Sequence, residues 1–149
     1  MKIQSWTKYS IFIWTSFILI QSLLPGEVSS NQSDFIVDTL HPFIQRLGIH
    51  MGVDTFSFWI RKLAHFTEYF ILGVLLFVAY QSSYQKMKLY TIIFLQGLIT
   101  ASIDETIQLF TPNRSGELRD VLIDFLGVMF GVLFVYLIYQ KVIKHKKQI

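Results

Sequence analysis

Half of the acidic side chains in this chain stand in one stretch. Residues 104–127, DETIQLFTPNRSGELRDVLIDFLG, carry Asp104, Glu105, Glu117, Asp120 and Asp124, five of the ten Asp and Glu in 149 residues. Upstream, RKLAHFTEYFILG at 61–73 sets Lys62, His65 and Glu68 at three-residue intervals. Imidazole and carboxylate oxygen together are ligands for Mn, Zn or Mg, or a base and an acid for hydrolysis. His65, Glu68, Glu105, Asp120 and Asp124 therefore form a candidate polar site, with His65, Glu105 and Asp120 as candidate metal ligands. Lys62, Arg114 and Arg119 can hold a phosphate or carboxylate, Arg through its planar fork and Lys as a point charge, and Gln108 adds an amide to this substrate-binding group. There is no paired-histidine zinc motif, nucleophile elbow or glycine-rich phosphate loop, so spacing alone names neither a metal, a cofactor nor a reaction.

Taken singly, each group has a packing explanation. Glu68 can neutralise Arg114 or Lys62, Asp124 can bond across to Gln108, and His65 can be a satisfied interhelical residue. Taken together they exceed what packing requires, because ionisable groups inside apolar segments each carry a desolvation penalty.

The surrounding sequence is apolar. Hydrophobic residues make up 52%, charged residues only 15%, and mean hydropathy is +0.47, which excludes an ordinary soluble domain. The net charge of +3 comes from Lys and Arg at the ends of apolar runs, with no basic stripe for nucleic acid. Cysteine is absent, so neither a disulfide framework nor a thiolate metal site is available. Residues 1–149 read as a single integral membrane domain.

Four apolar runs approach the roughly 20 residues that a helix needs to cross a bilayer: about 6–24, 63–80, 89–110 and 121–139. Backbone groups in lipid must be paired within the segment, so the runs are helices and the expected fold is an all-α, four-helix transmembrane bundle. The 25–62 connection is expected as an outer loop with short interfacial helices, Pro42 starting the second and Gly48 ending it, acting as an amphipathic spacer or as a substrate-facing lid. Lys2 and Lys8 before an apolar run and Val28-Ser29-Ser30 after it also fit a signal peptide, but Trp14 and Gln21 make a poor signal core and favour an uncleaved helix.

Basic residues set the expected orientation. Lys2, Lys8, Lys86, Lys88, Lys141, Lys144, Lys146 and Lys147 make eight on one side, against Arg46, Arg61, Lys62, Arg114 and Arg119, five on the other. By the positive-inside rule both termini are cytoplasmic and the 25–62 and 111–120 connections face out. Lys62, His65 and Glu68 then share a stripe at the outer end of the second run, as do Asp104, Glu105 and Gln108 in the third and Asp120 and Asp124 in the fourth, where Gly127 and Gly131 allow a close helix approach. Arg114, in the turn between two acid-bearing helices, is expected to bond Glu68, Glu105 or Asp120. Asp104, turned about 100° from Glu105, is expected to point partly away from the site, toward a neighbouring helix or the interface.

These two blocks resemble the VanZ-like family of bacterial membrane proteins, which is associated with resistance to the glycopeptide teicoplanin. In the first block the resemblance rests on Lys62, His65, Phe66, Glu68, Tyr69, Leu72 and Gly73. In the second it rests on Asp104, Glu105, Gln108, Phe110, Pro112, Arg114, Asp120, Asp124, Gly127 and Gly131. Asn113 departs from the family pattern, in which a Gly usually precedes the Arg. The blocks cover about a third of the chain, and the first helix and the 25–62 segment carry no such signature.

The resemblance implies a protein of the bacterial cytoplasmic membrane that acts on the envelope at its outer face and lowers susceptibility to a glycopeptide. The residues themselves support a small membrane enzyme, a hydrolase or transferase working on a phosphorylated lipid or wall-precursor head group. An ion-coupled carrier ranks last, because 79–84 and 89–95 hold no charged residue to continue a polar path. Membrane lipids, and a lipid head group or wall precursor, are the expected partners.

Overall fold

The computed structural model describes the backbone of residues 5–146 and the side chains of 6–141. Lys2 and Lys147, counted in the basic asymmetry, lie outside it, as do the side chains of Lys144 and Lys146. Five helices and no strands occur among the described residues: α1 (Ser5–Leu23), α2 (Gly26–Arg46), α3 (Val53–Tyr80), α4 (Lys86–Phe110) and α5 (Leu118–Lys146).

By length and apolarity α3, α4 and α5 can each cross a membrane. α1 covers almost the expected run, but Lys8, Gln21 and its hydroxyl residues dilute it, and it qualifies only jointly with α2, from which it is bent by 107°. The outward faces carry Phe12, Leu95, Ile99, Phe130, Phe134 and Leu137, an apolar exterior suited to lipid.

The 25–62 segment differs from the expected loop with short interfacial helices. α2 is one helix of 21 residues that runs through Pro42. The residue before the proline is anchored to the chain that follows the helix: the Nε2–H of His41 donates to the Met51 carbonyl (2.7 Å), and the His41 ring packs on Phe56, with centroids 5.5 Å apart, which helps offset the backbone bond that Pro42 removes. Residues 53–62, also expected in the loop, form the first turns of α3, which opens on an extended Gly52 and places Asp54 favourably at the helix N-terminus.

α3 packs most extensively on α5. Gly127 abuts the Phe66 carbonyl, Gly131 the Phe70 carbonyl, and Gly73 the Val128 carbonyl, so the two helices meet backbone to backbone, as the spacing of the glycines predicted. Tyr69, Leu72, Leu76, Ile93, Ala101, Val128 and Ile18 form the core between α1, α3, α4 and α5.

At the end of the bundle formed by the C-termini of α1 and α4, the two turns dock on each other. The Gly26 N–H donates to the Pro112 carbonyl (2.9 Å), and Asn113 Nδ2 donates to Glu27 Oε1 (3.3 Å). Asn113 has φ 57°, in the left-handed region that Asn tolerates better than most residues. The departure at this position therefore keeps the turn that a glycine would make.

Candidate functional site

The polar residues sort into a buried cluster, an ion pair beside it and a cavity reaching both. The cluster is built where α3, α4 and α5 converge. His65 Nδ1 lies 3.3 Å from Asp124 Oδ1 and 3.9 Å from Glu105 Oε1. Asp104 joins them: one donor atom from each of His65, Asp104, Glu105 and Asp124 falls within 4.8 Å of the others.

Asp104 is where the sequence reading fails. It is 2% exposed and accepts hydrogen bonds from the Tyr69 hydroxyl (2.9 Å), Gln108 Nε2 (3.0 Å) and the Ser22 hydroxyl. The turn of about 100° from Glu105 does lead toward neighbouring helices, to Ser22 of α1 and Tyr69 of α3, but it keeps Asp104 inside the cluster instead of turning it away. Glu105 faces the start of α5, where the backbone N–H of Glu117 donates to its Oε2 (2.8 Å) and Gln108 Nε2 donates to its Oε1 (3.2 Å).

Asp120 stands apart from this cluster, so of the three expected metal ligands only His65 and Glu105 come together, and they do so with Asp104 and Asp124. The cause is Lys62, whose ammonium donates to both Asp120 oxygens at 2.5 and 2.6 Å and takes up their charge. Both side chains are largely buried, and Phe58 lies under the ammonium, 5.0 Å from it.

Arg114 also departs from expectation. Its guanidinium donates to the Gln21 carbonyl (3.1 Å) and to the Ser29 hydroxyl (2.5 Å), tying the C-terminus of α1 and the start of α2 to the α4–α5 turn, and among the described residues none of its hydrogen bonds goes to Glu68, Glu105 or Asp120. Burial pulls it below its ordinary pKa, while the nearby charges of Asp104, Glu105 and Glu68 oppose that shift. Arg119, expected to bind substrate, is an exposed partner of Glu117 (2.7 Å) that lies over the Phe58 ring, and its hydrogen bond holds the Glu117 carboxyl below the usual range.

A cavity of about 210 Å³ runs between α1, α2, α3 and α4, with Arg61, His65, Glu68, Asp104, Gln108 and Arg114 in its wall. A second lobe of about 140 Å³ shares Arg61, His65, Gln108 and Arg114 and extends to Lys62 and Asp120. α2 supplies Ser29, Gln32, Ser33 and Ile36 to the larger lobe, so it forms a wall of the site. α1 contributes Gln21 and Ser22, which sequence reasoning missed; the only signal was a polar pair near the end of an otherwise apolar run.

The two motif blocks of the sequence therefore meet around one cavity, beside a turn whose φ suits Gly or Asn. The chain belongs to the VanZ/LLP1 family. The family model matches residues 9–139, which takes in α1 and the 25–62 segment as well as the two motif blocks. No curated protein and no solved structure matches the chain. In VanZ/LLP1 terms, the motif residues His65, Asp104, Glu105 and Asp124 form the cluster, Lys62 and Asp120 pair beside it, and Gly73, Gly127 and Gly131 bring α3 and α5 together.

Proposed function

We propose that this VanZ/LLP1 protein binds and processes the anionic head group of an envelope lipid or lipid-linked wall precursor at the outer face of the bacterial cytoplasmic membrane. Altered susceptibility to a glycopeptide such as teicoplanin follows from the change in that lipid or precursor. The observation that carries this reading is the cavity itself. At about 210 Å³ it is smaller than the roughly 300–1,000 Å³ of clefts that enclose drug-sized ligands, so it accepts a head group and excludes a glycopeptide. Its cations suit an anion: exposed Arg61 and half-buried Arg114 offer planar forks for phosphate, and buried Asp104 with His65 and Glu68 offers acid–base groups.

The depth supports the same substrate. Glu105 stands five residues before the end of α4, roughly 8 Å along the axis, which is near the head-group level if Phe110 marks the edge of the span. We read α1 as the fourth crossing, which puts both termini on the side with eight basic residues and the cavity on the opposite, outer side.

A strain deleted for this gene tests the reading through its polar-lipid and wall-precursor profile, measured beside teicoplanin inhibitory concentrations. Deletion should change the head-group profile and raise susceptibility. The wild-type chain should restore both, while Arg61→Ala and Glu68→Gln, expressed to the same level, should not. An unchanged profile in the deletion strain, or full complementation by both variants, would refute it.

A further inference from the structure

We infer that His65, Asp104, Glu105 and Asp124 form a binding site for one divalent cation of the Mn²⁺ or Zn²⁺ type. The inference stands on the geometry of the cluster and does not depend on the head-group reading.

The first observation is Asp124. It is 0% exposed, and neither of its oxygens has a hydrogen-bond partner among the described residues; the facing Nδ1 of His65 also lacks one. Buried polar atoms are nearly always hydrogen-bonded, and an orphaned carboxylate costs more than an orphaned neutral group. Both groups point into the same small volume, where their separation of 3.3 Å is not matched by hydrogen-bond alignment.

The second observation is how the other two carboxylates are held. Asp104 Oδ1 accepts from Ser22 and Gln108, which fills its lone pairs, but Oδ2 accepts only from Tyr69 and keeps one. Glu105 accepts from Gln108 on one oxygen and from the Glu117 N–H on the other, and keeps a lone pair on each. Donors that fix a carboxylate while leaving a lone pair free are the arrangement that orients metal ligands from behind.

Charge decides between a metal and protons alone. Three carboxylates face one imidazole. Of the nearby cations, Lys62 is paired with Asp120, Arg114 bonds the Gln21 carbonyl and Ser29 hydroxyl, and Arg61 lines the cavity at its exposed side without an ion pair to the cluster among the described residues. An imidazolium would offset one of three negative charges, whereas a dication offsets two and coordinates all four groups at once. One nitrogen and three oxygens suit Mn²⁺ or Zn²⁺ better than a thiolate-seeking metal. Metal–ligand bonds of about 2.0–2.2 Å set donors roughly 3–4 Å apart, so donor atoms that all lie within 4.8 Å of one another need to close only modestly on binding. The cavity touches His65 and Asp104 and gives the ion a way in.

The test uses the intact protein purified in detergent, stripped with chelator and titrated with Mn²⁺, followed by electron paramagnetic resonance, and separately with Zn²⁺, followed by calorimetry. Wild type should take up one equivalent of at least one of these ions and show a higher melting temperature with it. Asp124→Asn and Glu105→Gln should each weaken binding by at least about tenfold, while Asp54→Asn, an exposed acid at the start of α3, leaves it unchanged. Both site variants are near-isosteric, and Glu105→Gln guards against Asp124→Asn failing to fold. No stoichiometric uptake of either ion by wild type, or uptake undiminished in folded Glu105→Gln, would overturn the inference and leave a cluster that shares protons.

Discussion

The pairing of Lys62 with Asp120 makes a quantitative prediction, because both side chains are more than four-fifths buried and no other carboxylate lies within 4.0 Å of the Lys62 ammonium among the described residues. At 2.6 Å and an effective dielectric of about 20, their Coulomb attraction is roughly 6 kcal/mol. Desolvating two ions offsets most of that, so the intact pair contributes little net stability, whereas removing one partner strands the other and costs about 3–5 kcal/mol. Lys62→Met and Asp120→Leu should therefore each destabilise the protein by about that much, and the double variant by far less than their sum. Asp120 also sits in the first turn of α5, where its charge favours the helix, so a residual loss of about 0.3–1 kcal/mol should remain in the double variant. Reversible unfolding in mixed micelles at rising SDS fraction, followed by tryptophan fluorescence, measures the cycle. Additive single losses, or single losses below about 1 kcal/mol, would show that water screens the pair and that its burial does not isolate it.

Three further outcomes follow from packing, hydrogen bonding and the distribution of basic residues. A Cβ on Gly131 would run into the Phe70 carbonyl and lie 3.0 Å from the Val74 nitrogen, so Gly131→Ala should cost about 1–3 kcal/mol in the same unfolding assay, while Leu137→Ala on the exposed face stays within about 0.5 kcal/mol. Arg114→Ala removes two charge-assisted hydrogen bonds of about 1.5–3 kcal/mol each, and should open the α1–α2 turn to limited proteolysis where Arg46→Ala at the exposed end of α2 does not. Reporter fusions after Lys88 and after Ile149 should report cytoplasm and a fusion at Gly48 should report the outside; an inward-facing Gly48 would reverse the sidedness argued from eight basic residues against five.

Hydropathy made α3, α4 and α5 legible, because a helix in lipid must be apolar over its whole length. The same signal was blind to α2 and to the first turns of α3, whose apolar residues cover only one face. Residue type and spacing brought His65, Glu105 and Asp124 together correctly, since each lies at the same end of its run. They erred at Asp104 and Asp120, where the neighbour and not the spacing decides: Ser22 and Tyr69 draw Asp104 inward, and Lys62 removes Asp120 from the cluster. Arg114 was expected to meet a carboxylate because charges were weighed and backbone carbonyls were not. The exposed C-terminal carbonyls of α1, which no sequence pattern advertises, compete for it, and the Gln21 carbonyl is one of them.

The five acids between 104 and 127 thus do three different things. Glu117 is a solvated partner of Arg119, and Asp120 is balanced by Lys62. Neither needs a ligand to explain it. Asp104, Glu105 and Asp124 do, since one imidazole cannot balance three carboxylates that are each no more than 4% exposed. Replacing such a group by well-packed apolar residues commonly stabilises a fold, and the same bundle could have been closed here with leucine, as it is one turn deeper at Ala101 and Val128. Among the three, Asp104 and Glu105 are already held by donors from α1, α3 and the α4–α5 turn, an arrangement that fixes their direction without satisfying them. Asp124 has no hydrogen-bond partner among the described residues, and its position opposite His65 makes it the residue whose loss separates a ligand site from a packing accident.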